Sequence, residues 1–275
     1  MAPQHRRRLP QNRTCRIMAT SSFPYTEPPT PPSDSVGDTL RRAVFVTLLS
    51  ILGLPYMLYA CLFQRTMITP VLAAARRTSI KLDAMYKDPP RLARAWATPI
   101  GQRYLAGGLE YQRREGYCAS ATLRNVLKSV GRSDVLPASR RGASTPTQYV
   151  AALDHVGCTS SKIVYGSDGY DAFRSALRAA NDPSYRVAAN FLRSPLFGFN
   201  GLTYAPFNFI LGVFGGHFSN VIGFLEDDDL VIVFDVNHTY GPYLVDAKRL
   251  YSAVNTYDQT AKRTRALIVS KVLTE

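Results

Sequence analysis

A histidine and an aspartate stand close to each other in two short apolar stretches of this 275-residue chain. His217 lies in "GGHFSNVIGF" and Asp235 in "VIVFDV", and the acidic "EDDD" between these stretches predicts an exposed turn. An antiparallel hairpin would bring the carboxylate beside the imidazole, where it fixes the tautomer and stabilises the imidazolium. A buried aspartate is otherwise costly. The pattern therefore predicts a catalytic dyad, with a histidine packed in the core as the alternative.

The candidate nucleophile is Cys118, which opens the stretch "CASATLRNVLKSVG". Apolar residues recur there at helical spacing as far as Gly131, a position that suits a left-handed helix cap. The amides at a helix N-terminus stabilise a thiolate, the nucleophilic form of cysteine. Gln112, six residues earlier, could donate a hydrogen bond to a tetrahedral oxyanion. Taken singly, the cysteine also fits a core position and the glutamine a solvated loop.

The other histidines and cysteines indicate no metal centre. His155 and His238 compete with His217 for the role of base, but neither has a comparable setting; His238 could line the acceptor side. The cysteines of the chain are Cys15, Cys61, Cys118 and Cys158. They are widely spaced, without a CxxC pair, so we expect neither a zinc site nor a disulfide framework, and we expect a reducing compartment.

The elements that would carry these residues belong to a predicted α+β domain over residues 104–275. The stretch "YDAFRSALRAA" predicts a second amphipathic helix, and "YRVAANFL", "FSNVIGFL" and "LVIVFDV" predict strands. Helices come first and strands later, an order typical of an α+β fold and not of a doubly wound sheet.

The N-terminal part of the chain has a different character. Residues 1–42 are basic and proline-rich, which predicts a disordered tail; the first 26 residues are rich in arginine and lack acids, so an organelle-targeting presequence is the alternative. Residues 43–63 are uncharged over 21 positions and predict one transmembrane helix. A buried core helix and a signal-peptide core are the competing interpretations of this segment.

Residues 64–103 predict a basic juxtamembrane helix and a linker. The first 103 residues hold 15 of the 33 basic side chains but only 5 of the 20 acidic ones, so most of the net charge of +13 lies outside the predicted domain. This distribution argues against a nucleic-acid partner. With residues 43–63 as its span, the chain would be a single-pass membrane protein that contacts lipid through these residues. More positive charge lies just after residue 63 than just before residue 43, which favours a cytoplasmic location for the predicted domain, and a cytoplasmic or another reducing side also suits its thiol.

Three motifs together resemble the catalytic domain of the phytochelatin synthases, which belong to the papain-like cysteine peptidase group. They are "QRREGYCASATLRNVL", "GGHFSNVIGF" and "VIVFDVNHTYGPYLV", and the resemblance covers roughly residues 104–270. It implies a papain-like fold in which Cys118, His217 and Asp235 are the catalytic residues and Gln112 lines the oxyanion site.

The resemblance extends to the substrate. The segment "NTYDQTAKRTR" is similar to the stretch in which the family's aspartate and arginine hold the γ-glutamyl end of glutathione, which implies these roles for Asp258 and Arg265. A γ-linked glutamate presents a free α-ammonium and a free α-carboxylate, which suit one acid and one arginine fork. Gly216 leaves room for the substrate backbone beside His217. A charged surface loop is the alternative for the 258–265 segment.

The implied reaction is attack by Cys118 on the Cys-Gly amide of glutathione, which releases glycine and leaves a γ-glutamylcysteinyl thioester for transfer to a second glutathione or to water. No tightly bound cofactor is implied; cadmium or zinc would enter as glutathione thiolates, which links the reaction to heavy-metal detoxification. Two departures from the family favour hydrolysis or weak transfer. The sequence "NHT" replaces basic residues after the aspartate, and no cysteine-rich C-terminal region is found in the 275 residues.

Two other functions stay open. A membrane-anchored papain-like peptidase acting on protein substrates would tolerate the loss of Asp258 and Arg265, and a non-catalytic membrane-anchored binding module would not need Cys118. An aromatic and glycine-rich insertion, Leu196 to Gly215, could be a lid over the cleft, a surface that dips into the membrane, or part of the core.

Overall fold

The computed structural model describes residues 35–75, 77–142, 144–198 and 215–273. They form α-helices and β-strands, and most of the strands belong to one antiparallel sheet. The α-helices are α1 (Val36–Phe63), α2 (Arg65–Ala75), α3 (Pro89–Trp96), α4 (Pro99–Gly107), α5 (Cys118–Ser129), α6 (Pro146–Asp154), α7 (Tyr170–Arg178), α8 (Arg193–Phe197) and α9 (Ala247–Val254). The strands are β1 (Thr159–Tyr165), β2 (Tyr185–Leu192), β3 (Gly216–Leu225), β4 (Leu230–Phe234), β5 (Pro242–Asp246), β6 (Tyr257–Asp258), β7 (Arg263–Thr264) and β8 (Ala266–Val272).

The main sheet has the strand order β1-β8-β2-β3-β4-β5, and every neighbouring pair in it is antiparallel. β6 and β7 form a separate short ribbon. β3 and β4 form the hairpin predicted from the sequence, closed by a 3-10 turn at Glu226–Asp228 with Asp229 in the left-handed conformation. Helices with an antiparallel sheet make the domain α+β, the class predicted.

Both faces of the sheet are covered, because the strands alternate side chains between two apolar cores. In β4, Val231 and Val233 join a core with α7, α8 and α9, whereas Ile232 and Phe234 join a core with α3, α4 and α5. A third apolar cluster packs α5 and α6 against β2, β3 and β8. The helix that begins at Cys118 is therefore fixed directly on the sheet that carries His217.

Helices α3 and α4 belong to the core, although the sequence predicted a juxtamembrane segment and linker over residues 64–103. Leu92, Trp96, Ile100 and Tyr104 are each at most 3% exposed and pack against the sheet. Basic and polar residues occupy the remaining faces of the two short helices, so the average composition conceals a one-sided apolar stripe. The packed core thus includes residues on both sides of the boundary predicted at residue 104.

Helix α1 begins seven residues before the predicted span. Ser35 caps it, with its Oγ accepting from the Asp38 backbone N–H at 3.2 Å, and helical hydrogen bonding then continues through polar residues into the apolar stretch. The helix is long and apolar enough to cross a membrane by length and composition, a test that a core helix or a signal sequence also passes. α2 instead buries Met67 and Ile68.

Two sequence predictions fall largely outside the described residues. These are the tail or presequence, of which residues 1–34 are not described, and the insertion, of which residues 199–214 are not described. The first residues of the insertion, Leu196 and Phe197, are buried in the core with α7 and α9.

Candidate active site

The β3–β4 hairpin brings His217 and Asp235 together, as the sequence predicts. The register places Asn220 opposite Phe234, so Asp235 emerges from β4 beside the N-terminal end of β3. His217 Nε2 lies 2.7 Å from Asp235 Oδ1, with the two residues 2% and 0% exposed. The same carboxylate oxygen accepts from the Asn237 backbone N–H at 2.8 Å. The carboxylate is therefore held in position from two sides.

Cys118 is the first residue of α5, where no side chain caps the helix. The polar groups that act on its thiol are the His217 side chain and the backbone of Phe218. Since Nε2 of His217 faces Asp235, Nδ1 is the ring nitrogen left for the thiol. The helix amides and the imidazole thus act on the same sulfur.

Electrostatics favour a thiolate and an imidazolium. Burial raises the pKa of the Cys118 thiol, but the charge of His217 and these two polar groups bring it below the ordinary value. Burial lowers the pKa of His217, and the charges of Asp235 and of the Cys118 thiolate outweigh this effect and raise it to about 10. Each member of the pair stabilises the charged form of the other, the condition for a nucleophile at neutral pH.

Gln112 is buried, at 4% exposure, and lies against the segment that follows Asp235. Its backbone N–H donates to the Val236 carbonyl at 2.7 Å. His238 Nε2 lies 3.1 Å from the Gln112 carbonyl oxygen, and its ring stacks on Tyr111 with the ring centres 4.7 Å apart. His238 is therefore engaged in holding the Gln112 segment, and the exposed His155 lies apart from the site, at the end of α6.

Arg265 lies against Gly216, the residue that precedes His217 in β3. The guanidinium is 2% exposed, and its Nη1 donates to Thr256 Oγ1 at 3.0 Å and to the Tyr257 carbonyl at 2.8 Å. A Cβ at Gly216 would lie 3.4 Å from the arginine Nε. This Nε is buried without a hydrogen-bond partner in the described part of the chain. A cationic donor thus lies unsatisfied against the residue that precedes the candidate base, which suits an anionic ligand.

Asp258 lies on the ribbon from which Arg265 follows. It is half-buried, and its Oδ1 accepts from the backbone N–H groups of Thr260 at 2.8 Å and Ala261 at 3.3 Å. Burial lowers the pKa of Arg265 to about 10, although the Asp258 charge opposes this effect. The guanidinium is consequently charged at neutral pH, so Asp258 and Arg265 carry opposite charges at the short β6–β7 ribbon and the residue that follows it.

Sequence reasoning missed a polar cluster formed by Glu115, Arg193, Asn237 and Tyr240. Arg193 approaches Glu115 at 3.4 Å and lies over the Tyr240 ring, 5.4 Å from its centre. Asn237 Nδ2 donates to Glu115 Oε1 at 3.2 Å. The available signals were the position of Glu115 three residues before Cys118 and that of Asn237 two residues after Asp235.

Metal ligands are not gathered in the described ranges, where no group of three or more His, Cys, Asp or Glu side chains could hold an ion. The side chains of Cys118, His217 and Asp235 are a cysteine, a histidine and a carboxylate, the set that thiol-dependent acyl-transfer enzymes use together.

The comparisons with known proteins agree with this class. The family model described as phytochelatin synthase matches residues 147–267, which supports the phytochelatin synthase family and confirms the resemblance seen in the motifs. The matched range includes His217, Asp235, Asp258 and Arg265, and Cys118 and Gln112 precede it. No curated protein matches the chain.

Proposed function

We propose that this protein is a glutathione γ-glutamylcysteinyltransferase of the phytochelatin synthase type, with Cys118, His217 and Asp235 as its catalytic residues. The family match indicates glutathione-related γ-glutamylcysteine transfer in general and an acyltransferase enzyme. The observation that carries the specific proposal is the buried Arg265 guanidinium, whose unsatisfied Nε lies against Gly216, the residue before the candidate base. A peptidase for ordinary proteins has no evident use for such a group there.

In the first half-reaction the Cys118 thiolate attacks the carbonyl carbon of the Cys-Gly amide. The Gln112 side chain stabilises the oxyanion that forms. His217, protonated at Nδ1, gives its proton to the leaving amine, so the C–N bond breaks and glycine departs. The products are free glycine and a γ-glutamylcysteinyl thioester on Cys118.

In the second half-reaction neutral His217 takes a proton from the incoming nucleophile. When this nucleophile is the α-amine of a second glutathione, a new amide forms, the C–S bond breaks and a phytochelatin is released. When it is water, the product is γ-glutamylcysteine. Asp235 fixes the ring throughout and stabilises its charged form.

Recognition of the γ-glutamyl group would rest on Asp258 and on Arg265, the arginine that lies against Gly216. The α-carboxylate meets the Arg265 guanidinium, and the α-ammonium meets the Asp258 carboxylate. Burial of the guanidinium strengthens such a contact because water competes less for it.

The acceptor side bears on the balance between transfer and hydrolysis. Asn237, His238 and Thr239 replace the family's basic residues, and their polar groups bind the surrounding backbone and Glu115. Two basic side chains from other segments nevertheless lie close to residues 237–239, since Lys81 and Arg193 both lie over the ring of Tyr240, the next residue in the chain. An acceptor glutathione, free or as its cadmium or zinc thiolate, could be held by these cations.

The fold and location proposed for the enzyme are those of a papain-like domain behind a single membrane span. The exposed apolar surface of α1 supports the span, and the reducing side of the membrane suits a thiol enzyme that consumes glutathione. In the structure Asp38 of α1 pairs with Arg114 at 2.8 Å. Insertion of α1 would separate this exposed pair, and pairs of this kind contribute little to stability.

The test is to incubate the full chain in detergent with glutathione, with and without cadmium or zinc, and to identify thiol products by mass spectrometry beside a Cys118→Ala control. We expect Cys118-dependent glycine release with γ-glutamylcysteine or longer (γ-Glu-Cys)n-Gly products. Their ratio gives the balance between hydrolysis and transfer. Absence of all these products, with cleavage of protein substrates instead, would overturn the proposal in favour of a peptidase.

A further inference from the structure

Two buried asparagines join the three segments on which the candidate active site is built. Asn125 and Asn220 are 1% and 0% exposed, and Asn125 Nδ2 donates to Asn220 Oδ1 at 3.2 Å. Asn125 lies two helical turns after Cys118 on α5, and Asn220 lies three residues after His217 on β3. The helix of the nucleophile and the strand of the base are thus joined by a direct side-chain contact.

Asn125 also holds the segment that leads to Gln112. Its Oδ1 accepts from the Glu110 backbone N–H at 2.8 Å, and its Nδ2 donates to the Glu110 carbonyl at 3.0 Å. A single amide therefore satisfies both backbone groups of one residue, which fixes the position and the direction of the chain there. Gln112 follows two residues later and is tied to Val236 at its own backbone.

The surroundings limit the freedom of this junction further. Asn220 Nδ2 donates to the Thr122 carbonyl of α5 at 3.1 Å. The Glu110 carboxylate is held from α5 by Arg124 at 2.5 Å and by Lys128 at 2.7 Å. Each contact joins α5 to the Gln112 segment or to β3, so a shift of one of them is transmitted to the others.

At the buried positions 125 and 220, apolar side chains would cost less free energy to bury than asparagines. Burying an amide costs free energy unless it is hydrogen-bonded, and well-packed apolar replacements of buried polar groups are often neutral or stabilising. A polar junction, in contrast, has one arrangement that satisfies all its groups. Its benefit is positional, and what it positions here is the oxyanion donor relative to the nucleophile.

We infer that Asn125, braced by Asn220, is a positioning residue that aligns Gln112 with the sulfur of Cys118 for acyl transfer. It rests on the acyl-transfer part of the proposed function and is independent of glutathione as the substrate. Asn125 acts through Glu110 and touches no reacting atom. The thiolate itself depends on His217 and Asp235, and no hydrogen bond joins Asn125 to either of these side chains within the described residues.

The test compares the full chain with four variants: Asn125→Leu, Asn125→Leu with Asn220→Val, Gln112→Ala, and Asn125→Leu with Gln112→Ala. The second variant removes both partners of the amide pair, so that neither amide is left buried and unpaired. Ser129→Ala is the matched control, because Ser129 is a buried polar residue of the same helix whose hydroxyl accepts from Arg186 at 2.8 Å, away from Glu110.

The primary probe is p-nitrophenyl acetate, which acylates a reactive cysteine without any glutathione-binding site. We expect the Cys118-dependent burst to slow by about 10²-fold in Gln112→Ala and similarly in the Asn125 variants, with little further loss when the two are combined. Alkylation of Cys118 by iodoacetamide should keep the wild-type pH profile in all of them. Ser129→Ala should lower the melting temperature while the burst rate stays near wild type.

Multiplicative losses in the combined variant, an undiminished burst in folded Asn125→Leu, or an altered alkylation profile would overturn the inference. If Asn125→Leu does not fold, the double variant with Asn220→Val carries the test by the same criteria. A normal burst that gives no products from glutathione would refute the proposed substrate while leaving this inference intact. A wild-type chain without any Cys118-dependent burst would overturn both.

Discussion

His217 Nε2 lies 2.7 Å from Asp235 Oδ1 in a site where both side chains are at most 3% exposed. The contact joins the second residue of β3 to the residue that follows β4. It directs the other ring nitrogen towards Cys118, and the buried charge of Asp235 raises the pKa of the imidazole. Asp235 therefore favours the imidazolium, whose charge in turn favours the Cys118 thiolate.

Asp235→Asn should move the pH range in which Cys118 is reactive. In the wild type, the thiolate persists below the ordinary thiol pKa and the imidazolium persists up to its pKa of about 10, so alkylation by iodoacetamide should stay fast as the pH falls towards neutral. Without the carboxylate charge the His217 pKa falls, so the imidazolium that stabilises the thiolate is lost at lower pH. This loss outweighs the relief of the direct repulsion between Asp235 and the thiolate, because the His217 charge has the larger effect on the Cys118 pKa. We expect slow alkylation at pH 7 with recovery at high pH, and a turnover lower by about 10²- to 10⁴-fold. An unchanged pH profile would contradict the coupling.

Arg265→Ala should chiefly weaken the binding of glutathione. Loss of a charge-assisted contact of about 1.5–3 kcal/mol lowers kcat/KM by about 10- to 100-fold, mostly through KM. The matched control is Arg263→Ala, since the exposed Arg263 guanidinium lies over the Tyr165 ring, 3.8 Å from its centre. Thermal unfolding must accompany the kinetics because Thr256 loses its hydrogen bond. Equal KM values for both variants would refute the assignment of Arg265.

Side chains of increasing size at Gly216 should block the substrate site in steps. Alanine fits, since its Cβ would lie 3.4 Å from Arg265 Nε and 3.5 Å from Nη2, whereas leucine would push the guanidinium aside. We expect a small rise in KM for Gly216→Ala and a large one for Gly216→Leu. Gly223→Ala, on the same strand, is the control, because its Cβ would meet Ile232 and Asn181 at 3.5 and 3.6 Å. A KM for glutathione that does not change with the size of residue 216 would show that glutathione binds elsewhere.

Charges in the middle of α1 should release the protein from membranes. Leu48 and Ile51 are 54% and 63% exposed, and an arginine at the centre of a span costs about 2.5–3.5 kcal/mol on the insertion scale. We expect Leu48→Arg with Ile51→Arg to shift the chain from the carbonate-resistant membrane fraction to the supernatant. Leu82→Arg, at an exposed leucine outside α1, should stay with the membrane. Equal fractionation of all three proteins would argue against a spanning α1.

Local patterns predicted the parts of the fold that depend on neighbours in sequence. The helix that begins at Cys118, ended by Gly131 at a φ of 79°, and the β3–β4 hairpin follow from periodicity and turn chemistry. Long-range pairing was not predictable in this way, because the pairing of β8 with β1 and β2 is set by tertiary packing.

The same distinction applies to the candidate site, where local sequence patterns predict one part and tertiary packing sets the rest. His217 beside Asp235 is a consequence of the hairpin, which two apolar stretches joined by an acidic turn predict. The burial of Arg265 is not, since a guanidinium in a charged segment is usually solvated. Its position depends on hydrogen bonds to Thr256 and Tyr257 and on the close approach to Gly216, which are tertiary contacts. The contribution of Asn125 is also invisible in the sequence, because it requires Asn220, 95 residues away, as its partner.

The place of β8 in the sheet has a consequence for biosynthesis. β8 is the last of the described strands along the chain, yet it lies inside the sheet, between β1 and β2. While the ribosome is still making the strand, β1 cannot join the others and the edge of β2 stands open, so the nascent domain holds exposed strand edges until residues 266–272 emerge. If α1 is inserted co-translationally, the incomplete sheet lies next to the bilayer with its strand edges exposed. Premature termination before residue 266 would leave an aggregation-prone intermediate and not a shortened enzyme.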